Sequence, residues 1–353
     1  MPRSTSKDVA RLAGVSRTTV SMILNNSPDA RISESTRERV LKAMAQLNYS
    51  PNQVARGLKT NRTHTLALVI PSITNPFYAH VAQGVEDIAH AHGYTVFLCN
   101  AYRNTDREGK YVRALLQRQV DGVILVGAPS GLHVAEELVA EGVVVVTLDR
   151  EVICPGVERI LVDHFRGGWM AADLLHRLGH REVAYISGPI HNMARRDRLD
   201  GFRAAFAEHG LEFPAAHLLT GPAEASARQD DYELRNGHRL AKEVLTRLPQ
   251  VTAIACINDM SAIGVLQALH EAGLRVPDDM SVIGYDDIPL ARIIQPGLTT
   301  VGQPQYERGK AAAECLMHRL QGKTQDAPPP FFTPWLVERE TTCAPRASGT
   351  TGA

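Results

Sequence analysis

From residue 65 onward, short apolar runs alternate with segments of helical period, and that alternation leaves few architectures open. The runs are LALVIP (66–71), YTVFLC (94–99), DGVILVG (121–127), VVVVTLD (143–149), RILVD (159–163), EVAYIS (182–187), AIACI (253–257) and SVIGYD (281–286). Helical patterns lie at 78–92, 107–118, 165–179, 195–210, 231–248 and 259–273. Strands that alternate with helices predict parallel sheets covered by helices on both faces. About ten strands over nearly 280 residues are too many for one compact core, so two lobes are expected. A helix over 303–321 and a strand in FTPWLVERE (332–340) come late and must return to sheets already begun.

The first 62 residues are a different material. They hold 11 Lys/Arg against 4 Asp/Glu, a net of +7, and the remainder must carry −7 because the whole chain sums to zero. A small basic head on an acidic body points to a polyanionic partner for the head. Ser6 is expected to cap a helix in KDVARLAG, with Val9, Ala10 and Ala13 on one face and Gly14 as terminator. After a turn of about four residues Ser16 caps a second helix, which is the layout of a helix-turn-helix. Ser35 with Glu38 reads as a capping box for a third helix, whose stripe is Val40, Met44 and Leu47. Pro51 then interrupts, and SPNQVARGLKTNRT reads as a basic linker with at most two turns of helix.

The expected organisation is an all-α helix-turn-helix headpiece (1–49), a hinge segment (50–63) and a two-lobed α/β body (64–343). The first lobe takes 64–162 and 293–322, the second 163–292 and 323–343. Residues 344–353, small and polar, are expected to be disordered.

Several function classes fail on the residues. GKT at 322–324 would need glycine at 317 to form a phosphate loop, and that residue is Met317. No GxGxxG follows a strand, and GAPSG at 127–131 is not a nucleophile elbow. The pairs His90/His92 and His176/His180 lack a nearby Cys or carboxylate to complete a ligand set, so neither metal nor cofactor is expected. No apolar run reaches signal-peptide or membrane-span length, and the five cysteines are odd in number and widely spaced, giving the expectation of a reduced, cytoplasmic protein without a membrane partner.

Three blocks are specific: SKDVARLAGVSRTTVSMILNN, ISESTRERVLKAMAQLNYSPNQVARGL and TLALVIPSITNPFYAHVAQGVE. Further blocks are VTLDR at 146–150, RLDGFRAAF at 198–206, INDMSAIGVL at 257–266, GLRVPDDMSVIGYDD at 273–287 and LTTVGQP at 298–304. Together they resemble the lactose-repressor (LacI/GalR) family of bacterial transcription regulators over residues 5–343. The resemblance implies a headpiece, a hinge helix and a body like the periplasmic sugar-binding proteins. It also implies a homodimer on double-stranded operator DNA, controlled by a small molecule, most simply a sugar or sugar derivative, between the lobes. The tail CAPRASGTTGA has no heptads, so a dimer is expected rather than a tetramer. The competing readings are a solute-binding protein of a transporter and a nucleotide-binding α/β enzyme. The basic head and the missing phosphate loop argue against them.

The recognition helix enters the major groove by its N-terminal end, which explains why SRTTVSMILNN opens with its hydrogen-bonding groups. By resemblance Arg17 and Thr18 read bases, Arg suiting guanine O6/N7 and Thr a thymine methyl or either hydrogen-bonding edge. Ser16, Thr19, Ser21 and Asn25 are expected on phosphates, and Ser6 and Asn52 complete the DNA-facing set. Leu58 matches the family's hinge leucine, an apolar wedge for the minor groove, with Arg56 and Lys59 beside it. Met22 stands where the family most often carries Arg. It either faces the groove as an apolar contact or folds back on the headpiece core.

In the body the resemblance assigns the effector site to Phe77 and Tyr78, Asp149 and Arg150, Asn192 and Arg198, Tyr232, Asn258, Asp259 and Asp286. Most follow strand C-termini, where open α/β sheets bind ligands. Read without the family, Arg198 could instead pair with Asp197 or Asp200, and Asp259 could simply cap the helix that follows.

Overall fold

The computed structural model describes residues 4–24, 32–49, 62–101, 104–127, 131–148, 153–190, 192–222, 231–323 and 330–346. The expected contacts of Asn25, Asn52, Arg56, Leu58, Lys59, Asp149 and Arg150, and most of the hinge segment and tail, lie outside the described residues. The chain forms two compact units, Met1–Thr63 and His64–Ala353.

The first unit contains α1 (Ser6–Ala13), α2 (Arg17–Leu24) and α3 (Glu34–Gln46). The helices close on one core of Val9, Ala10, Ala13, Val20, Ile23, Val40 and Ala43, with Met44 and Leu47 packed against it. Two caps differ from expectation by one or two residues. Thr5, not Ser6, caps α1: its hydroxyl accepts from the Asp8 amide while Asp8 Oδ2 accepts from the Thr5 amide at 3.0 Å. Ser33, not Ser35, caps α3, accepting from the Thr36 amide at 3.3 Å. In both cases an extended residue one or two positions earlier already satisfies the first-turn amides. Gly14 ends α1 in the left-handed region (φ +64°), and the Val15 amide reaches back to the Ala10 carbonyl at 3.0 Å. Such a C-cap turns the chain sharply at no Cβ penalty and sets the entry of α2.

The second unit holds two six-stranded sheets. The first is built from β1 (Thr65–Ile70), β2 (Thr95–Asn100), β3 (Gly122–Val126), β4 (Val144–Leu148), β5 (Val157–Val162) and β11 (Phe331–Phe332), in the order β11-β5-β4-β3-β1-β2. The second is built from β6 (Val183–Ser187), β7 (Leu218–Thr220), β8 (Ala253–Cys256), β9 (Ser281–Asp286), β10 (Thr299–Gly302) and β12 (Trp335–Val337), in the order β12-β10-β9-β8-β6-β7. All pairs are parallel except β10–β12. Each sheet has a buried apolar cluster on either face, as helices on both sides require.

Helices α4 (Pro76–Ala91), α5 (Thr105–Gln117), α6 (Gly131–Ala140) and α12 (Gln305–Leu320) serve the first sheet. Helices α7 (His164–Arg177), α8 (Met193–Glu208), α9 (Tyr232–Arg247), α10 (Asp259–Glu271) and the short α11 (Pro289–Ile293) serve the second. Two lobe assignments change. Residues 299–302, expected in the first lobe, form β10 of the second sheet, and Phe331–Phe332, expected in the second, extend the first sheet as β11. The chain therefore passes between sheets three times, after β5, after β10 and after β11. A short Thr-rich strand and a two-residue edge strand carry too little apolar signal to show this in sequence. Cys99, Cys256 and Cys315 are buried, and burial pushes the Cys99 thiol to about 11 and Cys315 to about 12, so both stay protonated.

Candidate functional site

In the headpiece, Ser16 caps α2, accepting from the Thr19 amide at 3.0 Å, and its hydroxyl also meets the Thr19 hydroxyl at 2.9 Å. Arg17, Thr18, Ser21 and Met22 are exposed on the same short helix whose Val20 and Ile23 fill the core. Met22 is 40% exposed and is not among the residues of the headpiece core. Ser6 is half-buried in the first turn of α1.

The body has a cleft at the carboxyl ends of both sheets. Each sheet reverses its strand order once, between β1 and β3 and between β6 and β8, and these are the places where doubly wound folds leave a crevice. The cleft offers about 660 Å³, part of it open to solvent. Pro71, Asn75, Phe77 and Tyr78 enter after β1, and Val126 and Gly127 end β3. Asn192, Ala194, Arg195 and Arg198 come after β6, Ile257 and Asn258 after β8, and Asp286 ends β9.

Three asparagines fix the helices that begin there. Asn75 Oδ1 accepts from the Phe77 amide at 3.0 Å, Asn192 from Arg195 at 2.9 Å and Asn258 from Ser261 at 2.8 Å. These caps hold three helix N-termini at the cleft. Phe77 is 5% exposed and meets Tyr78 edge-on, with centroids 5.0 Å apart. Together they form an apolar wall on the first-lobe side.

The second-lobe side is charged and ordered. The Arg198 guanidinium donates to the Ile257 carbonyl at 2.8 Å and to His164 Nδ1 at 3.4 Å. It lies 3.7 Å from Asp286 and 3.7 Å over the Tyr285 ring. Neither neighbouring aspartate is its partner in these contacts. Arg195, which the sequence reading missed, is 7% exposed and bonded to Glu233 at 2.5 Å. Its signal was available: Arg195 and Arg198 stand at i,i+3 in RRDR and share one helix face. Asp286 accepts from Gln303 Nε2 at 2.7 Å and takes a φ of +120°, rare for a residue with a Cβ and a sign of a conformation held by its surroundings.

Two residues that the resemblance assigns to the effector site are not in this lining. Asp259 is fully buried and accepts from the Ile288 amide at 2.9 Å and the Thr300 hydroxyl at 2.5 Å. Burial, reinforced by nearby Asp286, pushes its carboxyl well above the ordinary carboxylate range. It ties strand ends together behind the cleft, while Asn258, one residue earlier, is both the helix cap and a cleft residue. Tyr232 is 4% exposed and its hydroxyl donates to the Pro222 carbonyl at 3.1 Å, outside the cleft lining. Asn192, Arg198, Asn258, Asp286, Phe77 and Tyr78 are brought together as expected. Among the described residues no group of His, Cys, Asp and Glu is placed to hold a metal.

Comparison with known proteins agrees with this arrangement. Residues 5–52 match the description "Bacterial regulatory proteins, lacI family" and residues 172–342 match "Periplasmic binding protein-like domain". The HTH-type transcriptional repressor PurR of Vibrio cholerae is 36% identical over 96% of this chain and 98% of its own length. The ribose operon repressor of Escherichia coli is 37% identical over 95% of this chain and 99% of its own. Among solved structures, the lac repressor dimer bound to operator and the anti-inducer ONPF superposes with a TM-score of 0.82 at 28% identity, covering 97% of this chain and 100% of that one. With a helix-turn-helix unit, a doubly wound two-sheet body and full-length identity above one third, this chain belongs to the LacI family of bacterial regulatory proteins.

Proposed function

We propose that this protein is a cytoplasmic transcriptional repressor that binds operator DNA as a homodimer and responds to a sugar in the body cleft. The observation that carries the reading is the convergence of polar side chains from both lobes at the two strand-order reversals, in a chain that also carries a helix-turn-helix unit. Arg198 and Asp286 suit ring hydroxyls, and the Phe77–Tyr78 wall suits the CH face of a sugar ring. The charged groups are already engaged with one another, Arg195 with Glu233 and Arg198 with Asp286, which favours binding over proton transfer. The relative that is named as a ribose operon repressor makes D-ribose the first probe, with nucleobases as the competing ligand class.

The test is a gel shift with DNA from upstream of the protein's own gene, paired with a thermal-shift panel of D-ribose, other pentoses and hexoses, and nucleobases. A sugar at 100 times its Kd should stabilise the body by about 2.7 kcal/mol. Stabilisation by a nucleobase alone would move the effector class away from sugars. The retarded complex should also be salt-sensitive. With 11 basic residues in the first 62, affinity should fall roughly 10³-fold or more between about 50 and 200 mM salt if six or more phosphates are contacted. A flat response would exclude the headpiece as the DNA-binding element.

Met22 supplies a second prediction. A thioether cannot donate to guanine, and its exposed position suits an apolar contact such as a thymine methyl. Selection from random DNA should return A·T, or no preference, at the pair beneath Met22. Met22→Arg should shift that preference toward G·C by about 1–3 kcal/mol. Strong G·C selection by the wild type would assign that pair to another side chain, most simply Arg17.

A further inference from the structure

Among the described residues, one arginine of the body is buried without lining the cleft. Arg308, on the first-lobe helix α12, is completely buried and donates from Nη1 to Gln303 Oε1 at 2.7 Å. The other end of the Gln303 amide donates from Nε2 to Asp286 Oδ1 at 2.7 Å. The Arg308 guanidinium also sits 5.8 Å from the centroid of the Phe77 ring, within cation–π range. It therefore touches the cleft's apolar wall directly and its charged floor through one intervening amide. The amide's polarity gives the chain a direction: its oxygen takes the arginine donor, so its nitrogen is turned to the carboxylate.

The segment this chain reaches is held in an uncommon backbone conformation. Asp286 has φ +120° and Asp287 φ +54°. Around them, Gln305 Nε2 donates to the Asp286 carbonyl, Arg339 donates to Asp287 at 2.6 Å, and the Ile288 amide donates to Asp259 at 2.9 Å. Residues in such conformations stay there only while their surroundings hold them. Gln303 and Gln305 flank the crossover from β10 into α12, so the segment bearing the cleft carboxylate is clamped from the point where the chain passes between lobes.

We propose that Arg308, acting through Gln303, is a positioning residue that holds Asp286 in its binding conformation. The Arg308–Gln303–Asp286 chain is then the connection by which cleft occupancy reaches the first lobe. A ligand that engages Asp286 competes with Gln303 for the same carboxylate and, through Phe77, bears on the same guanidinium. This deepens the reading of the cleft as an effector site and rests on it for its regulatory meaning, whereas the clamp itself needs no ligand to be tested.

The experiment is amide hydrogen exchange on the full-length, sugar-free protein at pH 8, comparing wild type, Arg308→Met, Arg308→Lys and Gln303→Glu. Gln303→Glu keeps an acceptor for Arg308 Nη1 but loses the donor to Asp286, so it cuts the chain on that side alone. Exchange of the Ile288 amide should rise about tenfold or more in Arg308→Met and in Gln303→Glu. Arg308→Lys should recover most of the protection, and amides of the remote strand 95–100 should be unchanged. Unaltered Ile288 exchange in Gln303→Glu would overturn the proposal. So would a rise spread equally over strand 95–100, which would make Arg308 an ordinary core residue. Failure of every sugar to bind would defeat the effector reading and leave this result standing.

Discussion

Arg198→Ala should abolish the effector response while leaving operator affinity without effector within a few-fold of wild type. The side chain is 9% exposed and its guanidinium is shared by the Ile257 carbonyl, Asp286 and the Tyr285 ring. Two charge-assisted hydrogen bonds to a ligand, at about 1.5–3 kcal/mol each, correspond to at least about 100-fold in affinity. Truncation also strands a buried carboxylate, so folding stability should fall by about 3–5 kcal/mol, read as a lower urea midpoint. Arg198→Lys keeps the charge and loses the planar fork and the stacking on Tyr285, so it should rescue stability in part and affinity hardly at all. Calorimetric titration with the sugar found in the thermal-shift panel is the measurement. An affinity within about threefold of wild type would show that Arg198 is structural. Operator affinity should survive because the headpiece contains none of these contacts, and a site without ligand supplies no coupling free energy.

Gly168→Ala should cost at least about 3 kcal/mol and lower the melting temperature by roughly 6–10 °C. A Cβ at Gly168 would fall 1.9 Å from the Arg198 carbonyl oxygen and 2.7 Å from its carbon, both backbone atoms that cannot rotate away. The reciprocal contact is as close, with Gly201 Cβ placed 1.9 Å from the Phe165 carbonyl oxygen. Helices α7 and α8 thus touch backbone to backbone, and one methyl must push them apart. Because α8 carries Arg195 and Arg198, the same substitution should weaken sugar binding without touching the ligand. Gly109→Ala is the control. It sits inside α5, where a Cβ meets only Arg113 Nη1 at 3.5 Å, so it should be neutral or stabilise by up to about 1 kcal/mol. Equal melting temperatures for Gly168→Ala and wild type would show that the helix pair can yield.

What was legible in the sequence is what local periodicity and local charge determine. Alternating strands and helices gave the doubly wound body, and the helical patterns read there fall within a few residues of the observed bounds, while the helix Gly131–Ala140 and the strand Leu218–Thr220 were not read. The +7 head, the Gly14 turn and the Val9 and Val40 stripes gave the helix-turn-helix unit. Family blocks gave six of the described cleft residues. Tertiary structure alone decided which side chains meet. Arg195 finds Glu233 38 residues away, and Asp286 finds Gln303 across a crossover. Asp259 and Tyr232, which share the strand-end and helix-start positions of true lining residues, turn inward to Thr300 and Pro222. The physical reason is that a residue's period reports whether it faces a core, whereas its partner depends on how separate segments stack. That stacking also moved β10 and β11 between the lobes: a two- to four-residue strand is placed by the neighbours its backbone can pair with, β9 and β12 for β10 and β5 for β11, and the sequence does not name those neighbours.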